Sequence, residues 1–179
     1  MRKKILLIGG DPNSINSEII YKSWKKLKIN QKKEIYLISN YELIKKQFKK
    51  LNYKLKLLKV NNIYEEERSN KLKILDIKLD FLNPFKVQEK KASKFVIDSL
   101  NRAHNLALSK DVIGIINCPI SKTLLKQKNI GVTEYLASKC KIKDNSEVML
   151  LFNKKLSISP ITTHVDIKDI SKKINSKSI

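Results

Sequence analysis

Arginine is scarce in this basic chain. Of its 38 basic residues only Arg2, Arg68 and Arg102 are arginine, and the formal charge over 179 residues is +21. A charge of that size raises nucleic acid or an anionic membrane as partners. Readers of phosphates and bases, however, lean on the planar guanidinium fork, which lysine cannot reproduce. The lysines are spread along the whole chain beside abundant Ile and Asn, as in the composition of an A/T-rich genome. A solvated, biased surface is the reading adopted, without a specific nucleic-acid partner; a basic nucleic-acid-binding protein stays as an alternative resting on charge alone.

Cysteine, histidine and long apolar runs are also in short supply. Cys118 and Cys140 form no CxxC pair and have no histidine beside them, which points to a reduced cytoplasmic setting. The apolar run near the start covers only Ile5 to Ile8, too short for a signal segment and far too short for a membrane span. The expectation is a cytoplasmic protein with no membrane partner. One histidine cannot hold a metal alone, and the chain has two, His104 and His164. Neither a GxGxxG nor a Walker-type loop is present, because Gly9 and Gly10 are followed by Asn13, Ser14, Asn16 and Ser17.

What the chain does have is alternation. With 41% hydrophobic residues it is long enough for one core, or for part of a larger protein. Residues 3 to 9 read as a strand, and Ile20, Trp24 and Leu27 mark a helix face that Asn16 or Ser17 caps. "EIYLIS" (34–39) reads as a second strand, and Ser39 with Glu42 makes a capping-box pattern for the next helix. "KLKLLKV" (54–60) is a third strand. Residues 61–85 break the rhythm and read as an excursion from the sheet. A long helix follows over 88–109, then a buried-looking strand at 112–116 and a short helix from about 121, capped by Ser121. "VTEYLASKC" reads as a helix begun at Thr133. "EVMLLF" and "KLSISPITTH" read as adjacent strands, and "DIKDISKKI" as the start of an amphipathic helix. The pattern predicts an α/β fold, a mainly parallel sheet with helices on both faces, apparently truncated, with no internal boundary visible.

Four stretches carry polar groups where ligands gather in such folds. "GDPNSINSEI" is the first strand-to-helix corner. "NCPISK" puts Lys122 at a helix start after a strand, where an anion would gain from the helix dipole. "GVTE" offers Thr133, whose plain reading is a helix N-cap. "TTH" puts His164 beyond an apolar strand. None of them identifies an activity alone.

Their succession does more. "GDPNSIN.E", "CPISK", "G.TE" and "TTHVDIKDI" in this order resemble the 4-hydroxythreonine-4-phosphate dehydrogenase (PdxA) family of vitamin B6 biosynthesis. The resemblance covers nearly all of this chain and the amino-terminal half of the family's length. It implies a two-lobed α/β/α dehydrogenase, similar to isopropylmalate dehydrogenases, of which residues 1–179 are the amino-terminal part. It also implies a homodimer when full length, NAD or NADP as cofactor, and a divalent metal (Zn, Mg or Co) held by three histidines. The substrate is then a small phosphorylated amino acid, 4-phosphooxy-L-threonine, oxidised at its secondary hydroxyl and decarboxylated.

By this resemblance His164 is the first metal ligand and Thr133 a substrate-binding residue. Val132 stands where the family has a substrate-facing His. Ser14 and Asn16 replace glycines of the opening turn, Ser17 a frequent proline, and Cys118 the Gly before Pro119. Lys122 is a further substrate-binding candidate; catalytic and cofactor-binding residues are not assigned. The chain alone is expected to be inactive. A non-catalytic α/β module that binds a phosphorylated metabolite or a partner chain is the second reading.

Overall fold

The structure is a computed structural model describing residues 3–66, 68–125, 131–140, 148–162 and 166–174. Its elements group into two compact units, Met1–Leu136 and Ala137–Ile179, a division that no shift in composition marks.

The first unit is built on β1 (Lys4–Ile8), β2 (Ile35–Ser39), β3 (Leu57–Val60), β4 (Leu72–Asp76) and β5 (Val112–Asn117). They form one sheet in the order β3-β4-β2-β1-β5. All four pairings are parallel, with Leu37 opposite both Leu7 and Ile74, Val60 opposite Leu75, and Leu6 opposite Ile115. Strands buried on both faces read as continuous apolar runs, and "IYLIS" in β2 is buried at every position.

The helices are α1 (Asn16–Lys26), α2 (Ile29–Glu34), α3 (Tyr41–Lys50), α4 (Glu89–Ala107) and α5 (Val132–Lys139). Ile20 and Trp24 of α1 and Ile44 and Phe48 of α3 pack on Leu37, Leu72 and Ile74. Phe95, Val96, Leu100 and Ala103 of α4 pack on Leu6, Ile8, Tyr36 and Ile38. Successive strand residues point to opposite faces, so these two clusters are the two sides of the sheet. The layered, two-faced α/β architecture expected from the alternation is therefore present.

Several local expectations are corrected. Residues 61–85 are not an excursion: "LKILD" is β4, hydrogen-bonded between β3 and β2. No helix joins β3 to β4 among the described residues; a turn-rich segment does so, and its Ile63 is buried in the α4-side cluster. β5 is a sheet edge rather than a buried strand, and its Ile113 and Ile116 are 55% and 54% exposed. Helix α3 is capped by Asn40, whose side chain accepts from Leu43 N, not by Ser39. Neither Asn16 nor Ser17 caps α1. Thr133 lies inside α5, which starts one residue earlier; Glu134 reaches back to Gly131 N at 2.9 Å, as an N3 carboxylate does in a capping box.

The second unit holds a short antiparallel pair, β6 (Leu151–Phe152) with β7 (Ser157–Ile158), which is the adjacent-strand reading in shortened form. Asn153 closes its turn by accepting from Lys155 N and Leu156 N. The expected helix over "DIKDISKKI" is a 3₁₀ turn at Ile167–Asp169 running into a single turn, α6 (Ile170–Lys173). No helix among the described residues is long and apolar enough to cross a membrane.

Two predictions follow from the core. Phe95 is 1% exposed between α4 and the sheet, so Phe95→Ala will lower stability by about 3–5 kcal/mol in urea unfolding. Cys118 is buried among Leu37 and Ile74, and desolvation raises its pKa from 9.0 to about 11, whereas Cys140 is exposed. The native thiol thus keeps its proton where the unfolded one has lost it. That difference favours the folded state fully below pH 9 and is lost as pH rises through about 11. Alkylation followed by mass spectrometry at mildly alkaline pH will label Cys140 rapidly and Cys118 only on unfolding; equal labelling would contradict the buried placement.

Candidate functional site

The strand order fixes where a ligand would meet this sheet. From β1 the chain moves one way to β2, β3 and β4, then crosses to the other side of β1 to form β5. The direction reverses between β1 and β5, and open α/β sheets hold ligands outside the carboxyl ends of strands at such a reversal. The two segments leaving those ends are the corner after β1 and "NCPISK" after β5.

The corner is tied into the fold from within. Gly10 has φ +72, and a side chain there would come within 2.6 Å of Asn16 Nδ2 and 2.7 Å of the Pro119 carbonyl. Only glycine suits that conformation and that approach. Asn16 is 3% exposed, and its Nδ2 donates to the carbonyls of Gly9 at 3.0 Å, Asp11 at 3.2 Å and Pro119 at 2.8 Å. Asn13 pairs with Val87 through two bonds, its Nδ2 to the carbonyl at 2.8 Å and its Oδ1 from the amide at 2.7 Å. Gln47 of α3 donates to the carbonyls of Pro12 and Pro84. The Asp11 amide goes to the Pro119 carbonyl, and the Asp11 carboxylate accepts from Asn13 N. These groups hold loops together rather than cradle a phosphate, and the carboxylate at the turn would repel one.

The segment after β5 presents its polar groups outward. Cys118 N donates to the Ile8 carbonyl, continuing the β1 pairing, and Leu124 and Leu125 are buried in the α4-side core. Between them Ser121, Lys122 and Thr123 are exposed, with the two hydroxyl oxygens 2.8 Å apart. The helix expected here is a four-residue 3₁₀ turn, Lys122–Leu125, so it offers little dipole to an anion. Ser121 does not cap it with its side chain; its carbonyl accepts from Leu124 N.

Thr133 is exposed on α5, while Val132 and Leu136 pack against the same core cluster as Leu124 and Leu125. Tyr135 fixes α5 to α4 by donating to Asn101 Oδ1 at 2.9 Å. Lys122 and Thr133 thus lie on segments seated on one core cluster. His164 lies outside the described residues. His104 sits within α4, and no group of three His, Cys, Asp or Glu side chains suited to a metal occurs among the described residues.

Sequence reasoning missed the positions that hold this site together: Asn13 and Asn16 as ties, Gln47 and Ser93 as their supports. A signal existed for the last two, since Gln47 sits beside Phe48 and Ser93 beside Ala92 on otherwise apolar helix faces.

Comparison with known proteins points to one family over most of the chain. The sequence profile described as pyridoxal phosphate biosynthetic protein PdxA matches residues 31–179. A 4-hydroxythreonine-4-phosphate dehydrogenase of Sulfurihydrogenibium sp. is 29% identical over 98% of this chain and 54% of its own length. One from Wigglesworthia glossinidia brevipalpis is 31% identical over 96% of this chain and 52% of its own. The solved structure of the Klebsiella pneumoniae protein of that name superposes with a TM-score of 0.84 at 26% identity, covering 98% of this chain and 55% of that one. The chain thus spans about half the length of the relatives it matches. The profile covers most of the chain, the β5 segment and α5 included and the β1 corner excluded, and the chain belongs to the PdxA family.

Proposed function

We propose that this chain supplies the amino-terminal part of a two-lobed, cytoplasmic, homodimeric dehydrogenase that oxidises and decarboxylates 4-phosphooxy-L-threonine with NAD or NADP. The observation that carries the reading is the family match laid over the sheet: "CPISK" leaves β5 at the reversal beside β1. In this reading the Lys122 ammonium, flanked by the Ser121 and Thr123 hydroxyls, meets an anionic group of the substrate. Thr133 donates or accepts one hydrogen bond from its exposed position on α5. NAD or NADP, when bound, would supply the hydride acceptor for oxidation of the secondary hydroxyl, whose proton would pass to solvent. The β-keto acid would then lose its carboxylate as carbon dioxide, the bonding pair passing into an enolate that takes up a proton from solvent to give the ketone.

The resemblance assigns a divalent metal to three histidines, His164 first. This chain's residues do not fit that site by themselves, because the only other histidine, His104, lies within α4. Val132 is the main departure at the substrate side, where an apolar side chain packs on the core in place of an imidazole. That packing favours the second reading, a non-catalytic module for a phosphorylated metabolite.

The 179-residue chain supplied with 4-phosphooxy-L-threonine, NAD or NADP and a divalent metal is expected to give no reduced nicotinamide by absorbance. Adding the carboxyl-terminal half of a relative, or using a continuous full-length protein, restores turnover. Turnover by the chain alone would overturn the residue assignment; inactivity of every combination would favour the non-catalytic module. In an active full-length form, Val132→His should tighten substrate binding about ten- to hundred-fold, the worth of one hydrogen bond to a charged group. It should also cost about 1 kcal/mol of stability through lost packing.

A further inference from the structure

The segment that carries Lys122 is fastened at both ends by buried side chains of α1 and α4. At its start the Pro119 carbonyl accepts from Asn16 Nδ2 at 2.8 Å and from the Asp11 amide at 3.2 Å. At its end the Leu124 carbonyl accepts from Ser93 Oγ of α4 at 2.6 Å. Asn16 and Ser93 are each 3% exposed; the Ser93 bond is buried and the Asn16–Pro119 bond part-buried. Pro119 has a ring-fixed φ, and Leu124 and Leu125 anchor the far side in the core. The stretch between these anchors is short, and its three central side chains are the exposed ones.

We propose that Asn16 and Ser93 are positioning residues for an anion seat at Ser121–Thr123, one clamping the entry of that segment and the other its exit. The proposal rests on the reading of Lys122 as the group that meets the substrate's anion. A lysine side chain loses much rotamer freedom on binding, and a backbone already held in place leaves only that cost to be met. Ser93 has a further constraint: on the buried face of α4 its hydroxyl needs an acceptor, and the Leu124 carbonyl provides one. Asn16 serves two roles at once, since the same amide closes the β1 corner on the carbonyls of Gly9 and Asp11. The corner and the seat are therefore one mechanical unit, joined across the sheet reversal.

The test uses the whole chain and inorganic phosphate as the probe, titrated at ionic strength held constant with chloride and followed by amide NMR. Wild-type chain is expected to shift the Ser121, Lys122 and Thr123 amides saturably, and Lys122→Met to weaken binding about ten-fold or more. Ser93→Ala should weaken it about three- to ten-fold and Ser93→Thr, which keeps the hydroxyl, should restore it. Asn16→Ala should act like Ser93→Ala, and in both, amide exchange should speed up over 119–125 relative to β1 and β2. The Ser93 pair keeps the test decisive if Asn16→Ala does not fold. If Lys122→Met weakens binding but Ser93→Ala and Asn16→Ala bind as wild type, the clamp is wrong and the reading of Lys122 stands. If Lys122→Met binds as wild type, that reading fails and the clamp's purpose fails with it.

Discussion

The pairing of β1 with β2 on one side and β5 on the other governs this fold, because it makes β1 an interior strand of the first unit's sheet, with later strands added on both sides of it. A chain whose later strands flank β1 on both sides must build outward one way and then return. Parallel crossovers are right-handed, so building one way puts α1 and α3 on one face, and returning the other way puts α4 on the opposite face. Both faces of β1 and β2 are then covered, which accounts for their unbroken apolar sequences. The same constraint places two corners side by side at the carboxyl ends of β1 and β5. Cys118 N bonded to the Ile8 carbonyl prolongs the ladder by one step and brings those corners into register.

Much of this was legible in the sequence wherever periodicity and burial agree. The β1 run, "EIYLIS" and the long α4 face each carry one period over enough residues to be read alone. β4 was not legible, because the strand before it connects to it without a helix and the βαβ rhythm fails at that point. Its lysine misleads as well: Lys73 is 0% exposed, yet its ammonium donates to the Lys33 carbonyl and sits 4.0 Å over the Tyr36 ring. A cation satisfied by a carbonyl and an aromatic face is tolerated inside, and no one-dimensional pattern reports that. The exposed edge of β5 was equally hidden, since Ile113 and Ile116 look like core residues until the strand order is known.

The candidate site divides in the same way. Lys122 and Thr133 could be picked out because they lie at ends of elements, and both proved exposed there. The bonds that locate them could not, because the partners are distant backbone carbonyls, even where a polar residue on an apolar helix face marked Gln47 and Ser93: Asn16 reaches Pro119, Gln47 reaches Pro84 and Ser93 reaches Leu124. Asn and Gln suit such ties physically. An amide donates and accepts without a charge, so it can be buried at far lower cost than the lysines that dominate this composition. Asn13 uses both capacities on one residue, Val87.

That property also explains how the opening corner keeps its shape with so few glycines. Gly10 cannot change, since its φ of +72 and the approach of Pro119 both exclude a side chain. Position 16 is different: it starts α1 with ordinary helical geometry, and the space beside it is bounded by three carbonyls. A glycine there would leave those carbonyls to water or to a ligand's donors. Asparagine fills the space and satisfies them with two hydrogens, sharing one where the contact to Asp11 lengthens to 3.2 Å. Asn16 thus makes this corner a closed joint between β1 and the segment after β5. The β1 corner is closed by its own side chain, while Ser121, Lys122 and Thr123 after β5 stay exposed.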